Sequence, residues 1–312
     1  MQLKAILAGN TAYSKLLMAV GVILISAVFF TLLSVVAASG IYGVSMIKLQ
    51  TMFTDFSDPK AIPVLKFIQI FSTIGTFIIP ALVIAFLFDR EPMNYLSLNK
   101  KTPLVSAFFV IIALVASLPL INYLGELNSR MSLPAFLSEV EKWMKESEDK
   151  AAALTKGFLD MHSISDVLFT IFMIALLPAI GEELLFRGVI QRLLGDWSKN
   201  IHVAVWTTAV LFSAMHMQFY GFIPRMMLGA MLGYLLVWSG SLWLSIIAHF
   251  VNNASAVILT YLFKEEIVGV DPDKLGTEGQ MTFVLFSTIA TAGLLLLVYR
   301  NEKKRKEKFT LQ

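Results

Sequence analysis

The sequence predicts an all-α fold: a polytopic membrane helix bundle of about eight transmembrane helices with an amphipathic surface helix. Apolar residues make up 57% of the 312 positions and charged residues 15%, whereas soluble domains have about 45–50% and about 25%. The apolar residues are gathered into blocks of roughly twenty, the length that spans a bilayer core of about 30 Å. We therefore expect a single membrane domain over residues 1–312.

Each block is interpreted as one span. The predicted spans are 16–38, 64–88, 103–123, 167–194, 201–218, 222–238, 242–263 and 281–299. The first is longer than a signal-peptide core of about 7–15 residues, so we interpret it as a retained helix, with cleavage after Ala37-Ala38-Ser39 as the alternative. Between the third and fourth spans, apolar residues of the segment 134–150 recur at helical spacing, which predicts an amphipathic helix on the membrane surface or capping the bundle.

Loop charges predict the orientation. The tail 300–312 has six basic and two acidic residues, and basic flanks stay in the cytoplasm. An even number of spans then places both termini in the cytoplasm. The 264–280 loop is acidic and is expected on the opposite face; its acidic residues are Glu265, Glu266, Asp271, Asp273 and Glu278.

The composition of the chain limits the kinds of partner and site that we expect. The chain has no cysteine, which excludes disulfides, thiol nucleophiles and thiolate metal sites, and its net charge is only +3. Membrane lipids with anionic headgroups are therefore expected partners, and nucleic acid is not.

Gly229 and Gly233 form a G-x-x-x-G motif, most simply a close helix contact within the bundle and alternatively a dimer face. We expect a monomer or a weak dimer.

The fourth span contains three charged residues, Glu182, Glu183 and Arg187. A charge at the centre of a spanning helix costs roughly 2.5–3.5 kcal/mol on insertion scales. Glu183 and Arg187 are four residues apart and share a face, so they can pair and cancel most of that cost. The main interpretation of this pair is structural.

Glu182 lies about 100° around the helix from Glu183 and must face something else. Pro178 cannot donate a hydrogen bond to the carbonyl of Ile174, and Gly181 removes a side chain beside the glutamates. We expect these two residues to kink the helix and leave room next to Glu182.

Two later spans carry further polar residues. His216 follows Phe212 by four residues, and His249 precedes Asn253 by four, with Asn252 as a less favoured choice. At a rise of about 1.5 Å per residue, Glu182, His216, His249 and Asn253 lie roughly 20, 24, 14 and 20 Å from the cytoplasmic edge. They could surround one cavity, although a lone intramembrane His or Asn is often only an interhelical hydrogen bond, worth about 0.6 kcal/mol.

These residues resemble the three motifs of a known family. Glu182-Glu183-x-x-x-Arg187, Phe212-x-x-x-His216 and His249-x-x-x-Asn253 look like those of the CPBP (CAAX protease and bacteriocin-processing, or Abi) intramembrane proteases, which include the type II CAAX prenyl endopeptidases. The resemblance covers residues 165–260, the expected catalytic core. It implies hydrolysis of a peptide bond, with Glu182 as the catalytic carboxylate, Glu183 and Arg187 as its support, and His216 helping to activate water. In the same terms, His249 and Asn253 would stabilise the oxyanion.

General chemistry is compatible with those roles. A carboxyl group in apolar surroundings is a usable general base, and imidazole and amide N–H groups on one helical face can donate to an oxyanion. No cofactor is favoured, but zinc is possible, because Glu182, His216 and His249 could supply three ligands and leave a position for water. Against zinc stand the lack of H-E-x-x-H and of an obvious carboxylate partner for the histidines.

Two other classes of function compete with the protease. A non-catalytic immunity or signalling-adaptor protein on the same fold would not need the Glu182 carboxylate. A transporter or proton relay would also use intramembrane Glu and His, but the single clustered site and the absence of an internal repeat weigh against it.

Overall fold

The computed structural model describes residues 4–102, 104–264, 274–277 and 279–310, which form helices and turns and no strand. The all-α prediction is confirmed. Counting π-helical stretches within the helix that contains them, the helices are α1 Ala12–Tyr42, α2 Met46–Met52, α3 Ala61–Phe88, α4 Pro92–Tyr95, α5 Leu104–Ala116, α6 Leu118–Ser129, α7 Ser138–Phe158, α8 Ile164–Ser198, α9 Ile201–Met215, α10 Phe222–Ser239, α11 Leu242–Lys264 and α12 Met281–Thr310. The acidic residues Glu265, Glu266, Asp271, Asp273 and Glu278 lie outside the described residues.

The number of spans is lower than the sequence predicts. Within the described residues six helices are long and apolar enough to cross a membrane, namely α1, α3, α8, α10, α11 and α12, and the bent pair α5–α6 would make a seventh. The predicted fifth span, 201–218, is α9, which has only 15 residues and measures about 22 Å, short of a bilayer core of about 30 Å. The chain is a multi-pass membrane protein, and its described residues contain six or seven candidate spans where the sequence predicts about eight.

The third predicted span is broken at Ser117, where α5 and α6 meet at 48°. Pro119 lies in the first turn of α6, and because it has no N–H it cannot continue the hydrogen bonds of α5. Ser287 of α12 satisfies backbone groups on both sides of the break. Its hydroxyl donates to the carbonyl of Ala116 and accepts from the N–H of Leu120. In an apolar environment such backbone groups need a partner, so this contact makes the bend tolerable.

The surface of α1 identifies its environment. Leu24, Ile25 and Val28 are 60–73% exposed, and similar apolar side chains line most of this helix. A soluble protein rarely exposes so large a continuous apolar surface. In lipid the same surface costs nothing, which agrees with a span that faces the bilayer.

The predicted amphipathic segment is helical and extends further than expected. A 3₁₀ turn at Ala135–Leu137 leads into α7, which continues to Phe158. Glu139 and Glu141 lie in its first turn, where they favour the positive end of the helix dipole. Trp143 packs against Phe219 with 5.3 Å between ring centroids.

The chain divides into two compact units. Unit 1 comprises Met1–Leu96 and Asp149–Ala204, and unit 2 comprises Ser97–Glu148 and Val205–Gln312. In unit 1, α1 lies so close to α3 that a Cβ at Gly75 would stand 2.0 Å from the Cβ of Phe30. Only glycine allows this contact.

Unit 2 has a core of small and branched apolar residues from four helices. It is formed by Ala107, Val110 and Leu114 of α5, Leu232 and Leu235 of α10, Leu244 and Ala248 of α11, and Val298 of α12. Ala248 of this core directly precedes His249, so α11 is held in place beside one of the candidate site residues.

Candidate active site

The glutamate motif lies in unit 1, with Glu182 and Glu183 on a stretch of α8 between two π-helical segments and Arg187 inside the second segment. Residues Ile171–Leu176 and Leu184–Ile190 are π-helical, and Leu177–Glu183 between them is α-helical. Pro178 cannot donate to the carbonyl of Ile174, and the preceding N–H, of Leu177, reaches back five residues to Phe172. π-Turns often occur at functional sites, because they widen the helix locally and redirect side chains.

The predicted ion pair is present. Nη1 of Arg187 lies 2.7 Å from Oε1 of Glu183, and both side chains have no exposed surface. Neither charge could be buried alone without a large cost, so each makes the other tolerable. Glu182 is also buried, with 8% of its surface exposed.

The expected room beside Glu182 is not provided by Gly181, and that prediction is wrong. A Cβ at this glycine would lie 3.0 Å from the Cβ of Phe77 and 3.1 Å from Cγ1 of Ile78. The neighbouring helix α3 therefore fills the space that the missing side chain leaves. α8 runs as one helical stretch of 35 residues, and its backbone hydrogen bonds are π-helical at Ile171–Leu176 and Leu184–Ile190.

Sequence reasoning missed one polar residue of α8. Gln191 is 3% exposed and follows Arg187 by four residues, so it lies on the same face as Arg187 and Glu183. The signal was available in the sequence, because a Gln at this spacing continues the polar stripe into the last turn of a span.

The histidine motifs lie in unit 2, where Phe212 brings them together. The ring of Phe212 meets the imidazole of His216 at 5.1 Å between centroids and that of His249 at 5.8 Å, both edge-on. Phe212 is 1% exposed and His249 is 3% exposed. One buried aromatic ring thus restricts the orientation of both imidazoles.

The sequence predicts His216 inside the fifth span. In the structure it lies just after the end of α9. The helix stops at Met215, and Met217 has φ of +52°, a left-handed conformation that ends helices. Nδ1 of His216 lies 2.8 Å from the carbonyl oxygen of Phe212. Since a carbonyl can only accept, Nδ1 carries the proton, and in the neutral ring Nε2 is then the nitrogen that can accept one.

A second glycine lets α10 approach Phe212. A Cβ at Gly229 would lie 3.2 Å from Cδ1 of Phe212 and 3.2 Å from Cα of Ala209. The hydroxyl of Ser213 donates to the carbonyl of Phe222 at 2.7 Å and joins the same two helices. The G-x-x-x-G motif therefore makes, at Gly229, the close contact within the bundle that was predicted.

Asn253 has a neighbour that sequence reasoning ranked below it. Nδ2 of Asn252 donates to Oδ1 of Asn253 at 3.0 Å, and both side chains are half-buried. With its oxygen engaged as an acceptor, the amide of Asn253 is oriented so that its N–H₂ group points elsewhere as a donor. Asn252 is thus a candidate positioning residue.

The turn before α11 fixes the start of that helix. Gly240, with φ of +66°, ends α10 in the left-handed conformation. Ser241 donates from its hydroxyl to the carbonyl of Lys100 at 2.7 Å, and Trp243 donates from its indole to the carbonyl of Leu98 at 3.0 Å. These contacts fix the start of the helix that carries His249 and Asn253 relative to the segment before α5.

The geometry of the described side chains offers no obvious metal centre. Across the residues whose placement is described, no group of three or more His, Asp or Glu side chains is arranged to hold a metal ion.

Comparison with known proteins agrees with the motifs. Residues 164–255 match the family described as type II CAAX prenyl endopeptidase Rce1-like, and this stretch contains all three motifs. The resemblance predicted from the sequence is confirmed. The chain is also 29% identical over 119 residues to the uncharacterized protein YpbD of Bacillus subtilis (strain 168).

The extent of these matches is partial. The alignment with YpbD covers 37% of this chain and 56% of YpbD, so the chain spans just over half the length of that relative. No solved structure matches the chain. The matched segment of the Rce1-like family comprises α8 to α10 and most of α11, the four helices that carry or contact the motif residues.

Proposed function

We propose that this chain is an intramembrane endopeptidase that hydrolyses a peptide bond of a membrane-associated protein or peptide. The observation that supports this most is the contact of Phe212 with both His216 and His249, inside the segment that matches the CAAX prenyl endopeptidases. A protein that used the motifs only as interhelical hydrogen bonds would have no need to hold two imidazoles against one ring.

The proposed reaction starts from a water molecule. Glu182 takes a proton from the water, and His216 orients it through Nε2, while the hydroxide oxygen attacks the carbonyl carbon of the scissile peptide bond. The C–O bond forms as the carbonyl π electrons move onto the oxygen. Collapse of the tetrahedral intermediate breaks the C–N bond, and the proton held by Glu182 passes to the leaving amine.

His249 and Asn253 would stabilise the oxyanion of that intermediate. Both lie on one face of α11, four residues apart, and can donate from N–H groups that are already oriented before the reaction. The contact of Phe212 on His249 and that of Asn252 on Asn253 support this pre-orientation. Glu183 and Arg187 would act as positioning residues for Glu182 through the buried pair.

The proposal is tested by comparing membranes from cells that express wild-type protein, Glu182→Gln or His216→Ala, with quantitative proteomics of peptide termini. We expect uncleaved precursors to accumulate in both variants. Glu139→Gln on the exposed surface of α7 is the matched control and should cleave as the wild type does. If both site variants process the same substrates as the wild type, an endopeptidase using these residues is excluded, and an adaptor role becomes the better proposal.

A further inference from the structure

A large basic cavity lies at one end of unit 2, and no motif residue lines it. Its volume is about 1030 Å³. Five cationic side chains line it, Lys100, Lys101, Lys303, Arg305 and Lys306, against one acidic side chain, Glu307. A cavity with so strong an excess of one sign attracts an anion.

Two of the cations build the wall of the cavity. Arg305 donates from Nη2 to the carbonyl of Ser239 at 2.7 Å and from Nε to the buried carboxylate of Glu302 at 2.8 Å. Lys306 donates from Nζ to the carbonyl of Val237 at 3.0 Å. Both therefore cap the negative C-terminal end of α10, and their positions are fixed.

The other three cations are available to a ligand. Lys100, Lys101 and Lys303 are exposed, and within the described part of the chain none of their ammonium groups forms an ion pair. Lys100 lies over Gly240, since a Cβ there would be 3.3 Å from its Nζ. The three lysines come from two different segments, one before α5 and one near the end of α12.

Aromatic side chains form the inner boundary of the basic cavity. Trp238 stacks on Tyr234 at 5.8 Å and meets Tyr299 edge-on at 5.6 Å, and both Trp238 and Tyr299 line the cavity. Tryptophan and tyrosine concentrate where a membrane protein crosses the headgroup level. The cavity is therefore placed at the depth of lipid headgroups.

Trp238 also lines a second, apolar cavity. It has a volume of about 320 Å³ and is lined mainly by aliphatic and aromatic side chains of α5, α6, α9, α10 and α12. Along α10 it extends from Trp238 to Pro224, which is about 21 Å at 1.5 Å per residue. Half of a bilayer core is about 15 Å, so the apolar cavity is long enough for an acyl chain of one leaflet.

We propose that these two cavities together bind one anionic phospholipid, with its phosphate among Lys100, Lys101 and Lys303 and an acyl chain in the apolar cavity. A zwitterionic lipid would leave the excess of positive charge uncompensated. A free phosphate ion would satisfy the lysines but leave the apolar cavity unfilled. Trp238 lines both cavities and marks the boundary between head and tail. This proposal does not depend on the proposed endopeptidase activity, because neither cavity contains a motif residue.

The test uses the full-length protein in phosphatidylcholine nanodiscs doped with long-chain phosphatidylglycerol, with bound lipid measured by native mass spectrometry. We expect phosphatidylglycerol to be enriched on the protein, and the variant Lys100→Gln/Lys101→Gln/Lys303→Gln to lose that enrichment by about fivefold per lysine removed. The matched control is Lys142→Gln/Lys145→Gln/Lys150→Gln on the exposed face of α7, which removes the same charge and should bind as the wild type does.

Three further measurements distinguish a phospholipid from free phosphate and test the headgroup part and the acyl-chain part of the site separately. Short-chain phosphatidylglycerol should bind more weakly than the long-chain lipid, inorganic phosphate should not displace the long-chain lipid, and Ala292→Trp, which fills the apolar cavity, should weaken its binding. Equal enrichment on the triple-lysine variant and the wild type would overturn the headgroup site. Displacement by inorganic phosphate, or unchanged binding to the Ala292→Trp variant, would overturn the lipid as the occupant.

Discussion

The imidazole of His249 meets the ring of Phe212 edge-on, with 5.8 Å between their centroids. This contact joins the second motif to the third within unit 2, and His216 touches the same ring. Because Phe212 is buried and closely packed against α10, it can transmit the positions of α9 and α10 to both imidazoles. Its role in the proposed reaction is therefore one of positioning.

Replacing Phe212 with leucine should lower kcat much more than it changes KM. The smaller side chain keeps the site apolar but no longer restricts the imidazole rings, and a loss of about tenfold or more is expected when reacting groups move by a fraction of an ångström to one ångström. Steady-state kinetics on a substrate found by terminal proteomics would measure this split. Phe158→Leu, a buried Phe of unit 1 outside the motifs, serves as the control; equal losses in the two variants would point to a general effect on folding.

Asn252→Ala should impair the reaction through its neighbour. Without the donor from Asn252, the amide of Asn253 can rotate, so a smaller loss is expected than for Asn253→Ala, which should cost about 10²–10³ in kcat for a lost oxyanion donor. Asn252→Asp keeps the shape but, when ionised, cannot donate, and should behave like Asn252→Ala. Full activity of both Asn252 variants would contradict the positioning role.

The Glu183–Arg187 pair should show strong coupling in stability. Glu183→Leu alone leaves a buried guanidinium without its carboxylate and should destabilise the fold by about 3–5 kcal/mol. The double variant Glu183→Leu/Arg187→Met removes both charges and should recover most of that loss. Thermal unfolding in detergent micelles, followed by tryptophan fluorescence, measures the stability of these variants. A double variant no more stable than Glu183→Leu would contradict a structural pair.

Sequence and structure agree where local spacing decides the outcome. The four-residue separation of Glu183 and Arg187 was enough to predict their pair. Phe212 and His216 are also four residues apart and are in contact, although His216 lies just beyond the end of α9. The span boundaries were also close, because twenty-residue apolar blocks are a strong signal. The apolar composition of the chain likewise was enough to predict a membrane helix bundle.

The differences arise where tertiary contacts decide the outcome. α3 packs against α8 beside the glutamates, and no local pattern in α8 encodes that contact. The same packing places Phe77 and Ile78 in the space at Gly181. His216 falls outside α9 because Met217 adopts a left-handed conformation, an uncommon choice for a non-glycine residue that sequence propensity does not predict. The convergence of Glu182 with the histidines stays a prediction.

Gly181→Ala tests the close approach of α3 to the glutamate motif. The added Cβ would stand 3.0–3.1 Å from atoms of Phe77 and Ile78, and such overpacking typically costs about 1–3 kcal/mol. Ile78→Ala in the same chain removes one of the two contacts and should recover part of the loss. Gly21→Ala in α1, where a Cβ meets nothing within 4 Å, is the matched control and should be neutral or stabilising by up to about 1 kcal/mol.

Chelation distinguishes the metal-free reaction from a zinc-dependent one. Under the proposed mechanism Glu182 itself activates the water, so 1,10-phenanthroline and EDTA should leave cleavage unchanged, and elemental analysis of the purified protein should find far less than one zinc per chain. In a zinc enzyme the three protein ligands would hold the metal and lower the pKa of its water to about 7, so removal of the metal would abolish activity and added zinc would restore it. That restoration, together with one zinc per chain that is lost in the His216→Ala and His249→Ala variants, would reverse the proposal and make these residues metal ligands.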